Sequence, residues 1–198
     1  MLSRQIDIKR HDDHSYWVCQ LTKQIAKHNS TQLILIHNII PYVHWETSDL
    51  LADSSPKGIT YRHKWELSFV VFDQNQVVGF LIAYMRGISD THPFESIYIH
   101  RLAVAPDHQG IGVGSKLLQI ALNSYAHEFP NILTYTVQTN DEEANKKVIE
   151  FYQLAGFRRF LPVHYPEKLD ILMKLARVNM LADDPIRFVD VRQPSAIV

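Results

Sequence analysis

Residues Leu102 to Leu118, LAVAPDHQGIGVGSKLL, constrain this chain more than any other segment. The apolar run Leu102-Ala103-Val104 reads as a strand that stops at Ala105-Pro106. Gln109-Gly110-Ile111-Gly112-Val113-Gly114 follows and leads into an apolar-periodic helix. A glycine-rich loop between a strand and a helix N-terminus turns backbone N–H groups outward. It also offers the positive end of the helix dipole and lacks the Cβ atoms that would hold a phosphate away. The segment marks an anion cradle, and spacing decides which phosphate ligand it suits.

A P-loop requires Gly-x-x-x-x-Gly-Lys-Ser/Thr. Here Ser115 separates Gly114 from Lys116, so the lysine is out of register. A dinucleotide turn requires Gly-x-Gly-x-x-Gly at the start of a βαβ unit, with an acidic residue about 20 positions on. The glycines here fall at 110, 112 and 114, in mid-chain. A third pattern is Gln/Arg-x-x-Gly-x-Gly/Ala after a strand ending in Leu-x-Val-x-Pro, and Gln109, Gly112 and Gly114 fit it without a gap. This segment resembles the acyl-CoA motif of the GCN5-related N-acetyltransferase (GNAT) superfamily.

The strand before the loop carries its own signal. Ile97 and Ile99 are two apart, as are Leu102 and Val104, but Ile99 and Leu102 are three apart. A regular strand keeps one phase. An extra residue near His100-Arg101 restores it, which predicts a β-bulge. A strand buried on both faces would lose its phase without one. The resemblance implies a strand that bulges and parts from its neighbour, with the pantetheine arm filling the gap. Carried over, the Leu102 backbone donates to the thioester carbonyl, and Ala103 and Val104 continue the contact strand. Gln109, Gly110, Ile111, Gly112, Val113, Gly114 and Ser115 wrap the pyrophosphate. Lys116 is either a phosphate partner or a solvated side chain.

Transfer to an amine needs a neutral amine, and the departing thiolate is helped by a proton donor. Asn145 to Phe157, NKKVIEFYQLAGF, resembles the superfamily's second motif, with Tyr152 four residues before Gly156-Phe157. The resemblance makes Tyr152 the candidate acid beside the CoA sulfur and Asn145 a contact to the CoA arm. Tyr152 is also readable as a packed helix aromatic. His100, in the predicted bulge, is the candidate base, since an ordinary pKa of about 6.5 suits proton acceptance. Glu95 is a second candidate. Trp45, Glu46, Asp49, His92, Phe94 and Glu95 are candidates to line an acceptor site.

A chain of 198 residues suits one domain. The expected division is one acyl-CoA transferase domain over residues 1–178 and a C-terminal extension over 179–198. Net charge is −1, which gives no global field for nucleic acid or an anionic membrane. No early apolar stretch resembles a signal peptide, and the run from Leu33 to Val43 is too polar to span a bilayer. The one cysteine, Cys19, cannot close an internal disulfide and fits a cytoplasmic setting. His11 and His14 flank Asp12 and Asp13, but no Cys/His spacing of zinc type occurs and no metal is expected.

The expected elements run in a mixed order. Ile6-Asp7-Ile8 reads as a short strand, and a helix capped by Asp12 or Asp13 carries Trp17, Leu21 and Ile25. Cys19 falls in that helix. A second helical stretch over Leu33–Leu51 breaks near Pro41, and a loop covers Ala52–Arg62. Leu67–Phe72 and Val77–Met85 form a hairpin. A strand at 97–105 and a helix at 112–129 surround the glycine loop. Leu133, Tyr135 and Val137 mark a strand, and a helix over Asp141–Leu154 has Ala144, Val148, Phe151, Tyr152 and Ala155 on one stripe, ended by Gly156. A last strand pair spans 157–175, and a short strand is expected at Arg187–Val191. The pattern implies an α/β fold with helices on both faces of one sheet. The resemblance implies a GNAT-type mixed, mostly antiparallel sheet with a splayed central strand pair.

Taken together, the chain is expected to be an N-acetyltransferase using acetyl-CoA as co-substrate. The acceptor is a small-molecule or peptide amine, reached by direct attack in a ternary complex, and the protein is a monomer or homodimer. The alternative is a non-catalytic acyl-CoA-binding or sensing module of the same fold.

Overall fold

The computed structural model describes residues 4–6, 16–40, 44–88, 94–140, 145–165 and 168–176. Its centre is one eight-stranded sheet in the order β1-β2-β3-β4-β5-β6-β8-β7. The strands are β1 (Arg4–Ile6), β2 (Tyr16–Gln20), β3 (Phe69–Asp73), β4 (Gln76–Arg86), β5 (Ser96–Val104), β6 (Thr134–Asn140), β7 (Arg158–Tyr165) and β8 (Lys168–Ala176). Neighbours are antiparallel except β5 and β6, which run parallel. A parallel pair needs a crossover, and helix α5 (Val113–Glu128) supplies it.

Helices cover both faces, as the element pattern requires. On one face α1 (Lys23–His28), α2 (Ser30–His37) and α3 (Thr47–Leu51) bury Ala26, Leu33, Ile36 and Leu50 against Val70, Phe80, Ile82 and Ala103. On the other, α5 buries Val113, Leu117, Leu118, Ala121, Leu122 and Tyr125, the stripe its periodicity predicts. α6 (Lys146–Leu154) joins that core through Ile149 and Tyr152. β4 lies between the two cores and is buried from Val77 to Met85. Its alternate side chains divide between them, with Leu81 and Ala83 on the α5 side and Phe80 and Ile82 on the α2 side.

Several expectations are corrected. Trp17, Leu21 and Ile25 do not share a helix, because Tyr16–Gln20 is a strand. Tyr16 and Val18 are buried and Trp17 is exposed, a period of two built from β-preferring residues. The helix starts only at Lys23, where the Thr22 hydroxyl accepts the Ile25 N–H at 3.2 Å. Cys19 is therefore a half-buried strand residue. After the expected loop a one-turn helix, α4 (Lys64–Leu67), takes Leu67 out of the expected strand, which starts at Phe69. On α6 the expected stripe holds at Phe151, Tyr152 and Ala155, but Ile149 is buried in place of Val148, which is 40% exposed. Gly156 ends α6 at φ +91°, as predicted. Asp7, Ile8, His11 to His14, Pro41, His92, Asp141 to Ala144 and the segment 179–198, with its expected strand, lie outside the described residues. Among the described residues no helix is long and apolar enough to cross a membrane.

Candidate active site

β5 carries the predicted bulge. Ile82 of β4 pairs with Arg101 and Ala83 pairs with Ile99, so His100 has no opposite number. The extra residue lets Ile97, Ile99, Leu102 and Val104 all reach the α5 core. It also sends two successive side chains, His100 and Arg101, to the α2 face, where both meet Trp45. The pairing of β5 with β6 stops at Ile99 and Val137, although both strands continue. Beyond the bulge the two strands are splayed.

Backbone direction alternates along β5. The Ala105 N–H donates to the Val78 carbonyl of β4 at 2.8 Å. Ala103 faces β4 likewise, so Ala103 turns its polar groups away from the gap. Leu102 and Val104 turn theirs into it. The Val104 carbonyl accepts Gln109 Nε2 at 2.8 Å.

The glycine loop lies at the end of this gap. After a single 3₁₀ turn over Pro106–His108, Gly110 and Gly112 adopt left-handed φ values of +74° and +96°. Only glycine takes these angles freely. No atom would meet a Cβ at either position within 4 Å, so the loop surface is open there. Gly112 is the N-cap of α5 and supplies no side-chain cap. The amides of Val113, Gly114 and Ser115 precede the first intrahelical bond and are available to an anion. Gly114 faces the core instead, where a Cβ would make ordinary contacts with Val104 and Leu102 at 3.5 and 3.7 Å. The Tyr16 hydroxyl holds His108 Nδ1 at 3.0 Å and fixes the loop to β2. An open row of amides beside a widened strand gap fits a pyrophosphate followed by an extended arm.

On the α2 face, four aromatic rings surround His100. Trp45, Tyr61, Tyr84 and Tyr98 have centroids 5.7, 5.8, 5.5 and 5.9 Å from its ring. Its Nδ1 is buried without a hydrogen-bond partner. Burial, then the charge of Arg101, holds His100 well below its ordinary pKa, so the ring is neutral. His37 stacks on Trp45 at 3.9 Å and accepts Arg101 Nε–H at 3.2 Å. Burial lowers the pKa of His37 to about 4. Its Nδ1 therefore donates to Asn38 Oδ1 at 3.2 Å. Asn38 in turn holds the Trp45 backbone through both of its amide atoms, at 2.9 and 3.3 Å. Below this face Lys64 is buried, donating to the carbonyls of Leu50 and Ala52 at 2.7 and 2.6 Å.

Tyr152 approaches from the opposite, α6 side. It is buried beside Phe151 and Phe157, and burial pushes its hydroxyl pKa up, so the proton stays on. Asn145 is the N-cap of α6 and makes no side-chain cap bond. Glu95 precedes β5 and pairs with Arg62 at 3.3 Å at the protein surface. Glu46 and Asp49 spend their carboxylates on the capping box of α3. Phe94 packs against Phe160 and Lys174, toward β7 and β8. Of the acceptor-lining candidates, Trp45 packs into the aromatic face, and the charge of Asp49 acts on His37 and Tyr61 from α3. Sequence reasoning missed Arg101, His37, Tyr61, Tyr84 and Tyr98. For Arg101 the signal was present, since a bulge puts consecutive side chains on one face. Among the described residues no group of three metal-ligating side chains occurs.

Comparison with known proteins agrees with this architecture. The model of the Acetyltransferase (GNAT) family matches residues 37–157. N-alpha-acetyltransferase 30 of Schizosaccharomyces pombe is 27% identical, over 62% of this chain and 84% of that protein. The crystal structure of Ard1 from Thermoplasma volcanium superposes with a TM-score of 0.62 at 19% identity, covering 81% of this chain and 97% of that one. Naa50 of Arabidopsis thaliana, in complex with the bisubstrate analogue CoA-Ac-MVNAL, gives 0.59 at 17% identity, covering 81% and 98%. The two structures share the fold, and the family match runs from His37 on the aromatic face, through the splay and the glycine loop, to Phe157. The chain belongs to the GNAT family of acetyl-CoA-dependent N-acetyltransferases.

Proposed function

We propose that this enzyme acetylates the free α-amine of a peptide or protein N-terminus. The observation that carries the reading is the opening of β5 from β6 at the His100 bulge. It leaves the Leu102 backbone between a glycine cradle and a neutral histidine among aromatic rings. The chemistry of that histidine favours an α-amine. At pH 7 about a tenth of an α-amine with pKa near 8 is already neutral, against less than about one part in a thousand of a lysine side chain. A histidine held below its ordinary pKa removes a proton from the former with a far smaller uphill step. The S. pombe relative bears the name of an N-alpha-acetyltransferase, and the Arabidopsis structure holds a CoA–peptide analogue.

In this proposal the amides from Gly110 to Ser115 bind the pyrophosphate, and the Val104 N–H pairs with the pantetheine arm while Gln109 holds the Val104 carbonyl. The Leu102 N–H donates to the thioester oxygen as negative charge develops there. His100 takes the proton from the attacking amine, and the Tyr152 hydroxyl gives one to the departing sulfur. Asn145 contacts the arm from the start of α6. Glu95, paired with Arg62, is not assigned a role. Residues 1–178 form the catalytic domain and 179–198 an extension. The half-buried lone Cys19 fits a cytoplasmic enzyme.

The test is a thiol-release assay with acetyl-CoA and two peptides. One has a free N-terminus and no lysine, and the other a blocked N-terminus and an internal lysine. Turnover of the first alone is expected, with product mass increased by one acetyl group. Equal or faster turnover of the blocked peptide overturns the α-amine reading.

A further inference from the structure

Arg101 is a half-buried guanidinium whose partners carry no negative charge. Its Nε donates to the neutral ring of His37 at 3.2 Å, and its Nη1 donates to the His100 carbonyl at 2.7 Å. Its Cζ lies 5.4 Å from the Trp45 ring centroid. Charges withdrawn from water are normally paired. Here Glu46 and Asp49 cap α3, the Asp49 charge acting on His37 and Tyr61 without a bond to Arg101, and Glu95 pairs with Arg62. Among the described residues no carboxylate bonds to Arg101, and its Nη2 has no protein partner. A guanidinium has five N–H donors, so a fork remains available. The bonds to His37 and His100 and the stack on Trp45 hold that fork in place, which favours bidentate recognition of a carboxylate.

The counter-charge does not come from the pyrophosphate of CoA. The cradle sits at the N-terminus of α5, whereas the Arg101 side chain lies on the α2 face with Trp45 and His37. That face also carries His100. We propose that Arg101 selects the acceptor by binding a carboxylate close to the reacting amine, so that an acidic residue near the peptide N-terminus is preferred and a basic one disfavoured. This inference rests on the α-amine reading and names the specificity of that same site. A free amino acid offers the same chemistry through its α-carboxylate, and the experiment separates the two sources.

Three peptides identical except for Glu, Gln or Lys at the second position are compared with free glutamate. Each is assayed as an acceptor and titrated against the protein with the Arg101 Nε–H NMR signal as a readout independent of turnover. The expected order is Glu over Gln over Lys in both Kd and KM, with about a tenfold span between Glu and Lys. Arg101→Gln is expected to abolish the order. Arg101→Lys, which keeps the charge and loses the fork, retains it in weaker form and covers the case in which the glutamine variant does not fold. Equal binding of the Glu and Lys peptides to the wild-type protein overturns the proposal, as does a preference that survives in Arg101→Gln. If the binding order holds but no peptide is acetylated, Arg101 keeps its role and the α-amine reading falls. If free glutamate outcompetes every peptide, the carboxylate contact stands and the peptide acceptor falls.

Discussion

Tyr152 packs on the α6 side of the sheet and His100 on the α2 side, and burial acts on them in opposite senses. It raises the tyrosine pKa and lowers the histidine pKa, so both groups are uncharged at neutral pH. In the proposed mechanism the tyrosine gives its proton and the histidine receives one on its lone pair. Tyr152→Phe is expected to lower kcat about a hundredfold while changing the KM for acetyl-CoA less than about twofold. An unchanged kcat in steady-state kinetics removes Tyr152 from the reaction. Lys64 makes a structural prediction. Burial lowers its pKa to about 8, yet its ammonium satisfies two carbonyls at the end of α3. Lys64→Met leaves Leu50 and Ala52 without that donor and is expected to cost about 1–3 kcal/mol in chemical unfolding. At this scale the sequence marked the motif residues but not the aromatic ring around His100. Tyr61 and Tyr84 come from a loop and a neighbouring strand, and nothing local ties them to position 100.

At the scale of elements, two local irregularities build the site. The bulge was legible because the spacing from Ile99 to Leu102 breaks a period of two, and an extra residue keeps Ile97, Ile99, Leu102 and Val104 on one core. The cradle was legible because Gly110 and Gly112 sit where a strand must reverse into a helix. Gly112→Val puts a branched side chain at φ +96°, a backbone region it adopts only under strain. The expected result is at least about a tenfold loss of acetyl-CoA affinity by calorimetry, with helix content unchanged by circular dichroism. Full affinity would refute the cradle assignment. The N-terminal elements were misread for an equally physical reason. Trp17, Leu21 and Ile25 are spaced by four, but Tyr16–Gln20 pairs with β3 along its whole length, and tertiary pairing outweighs helical periodicity over so short a run.

Across the whole molecule, the two neutral histidines on the α2 face couple stability to pH. The unfolded chain protonates His37 near 6.5, whereas the folded chain resists until about 4. More protons bind the unfolded state inside that window, so stability is complete above it and falls as pH drops through it. His100 acts in the same direction. His37→Gln keeps an acceptor for Arg101 and does not titrate, so denaturant midpoints between pH 7 and pH 4.5 are expected to fall less in that variant than in the wild type. An identical fall would assign the titration elsewhere. The sequence by itself determined what depends on neighbours along the chain: the glycine turn, the amphipathic stripe of α5, the bulge in β5 and the stop at Gly156. Each follows from φ preferences or from the phase of a single element. Only the tertiary structure decided the α2 face. Arg101 and His37 are 64 positions apart, and Asn38 reaches the Trp45 backbone across a loop. Burial in the folded sheet, rather than residue type, is what strips both histidines of charge and leaves the guanidinium of Arg101 without a bonded carboxylate among the described residues.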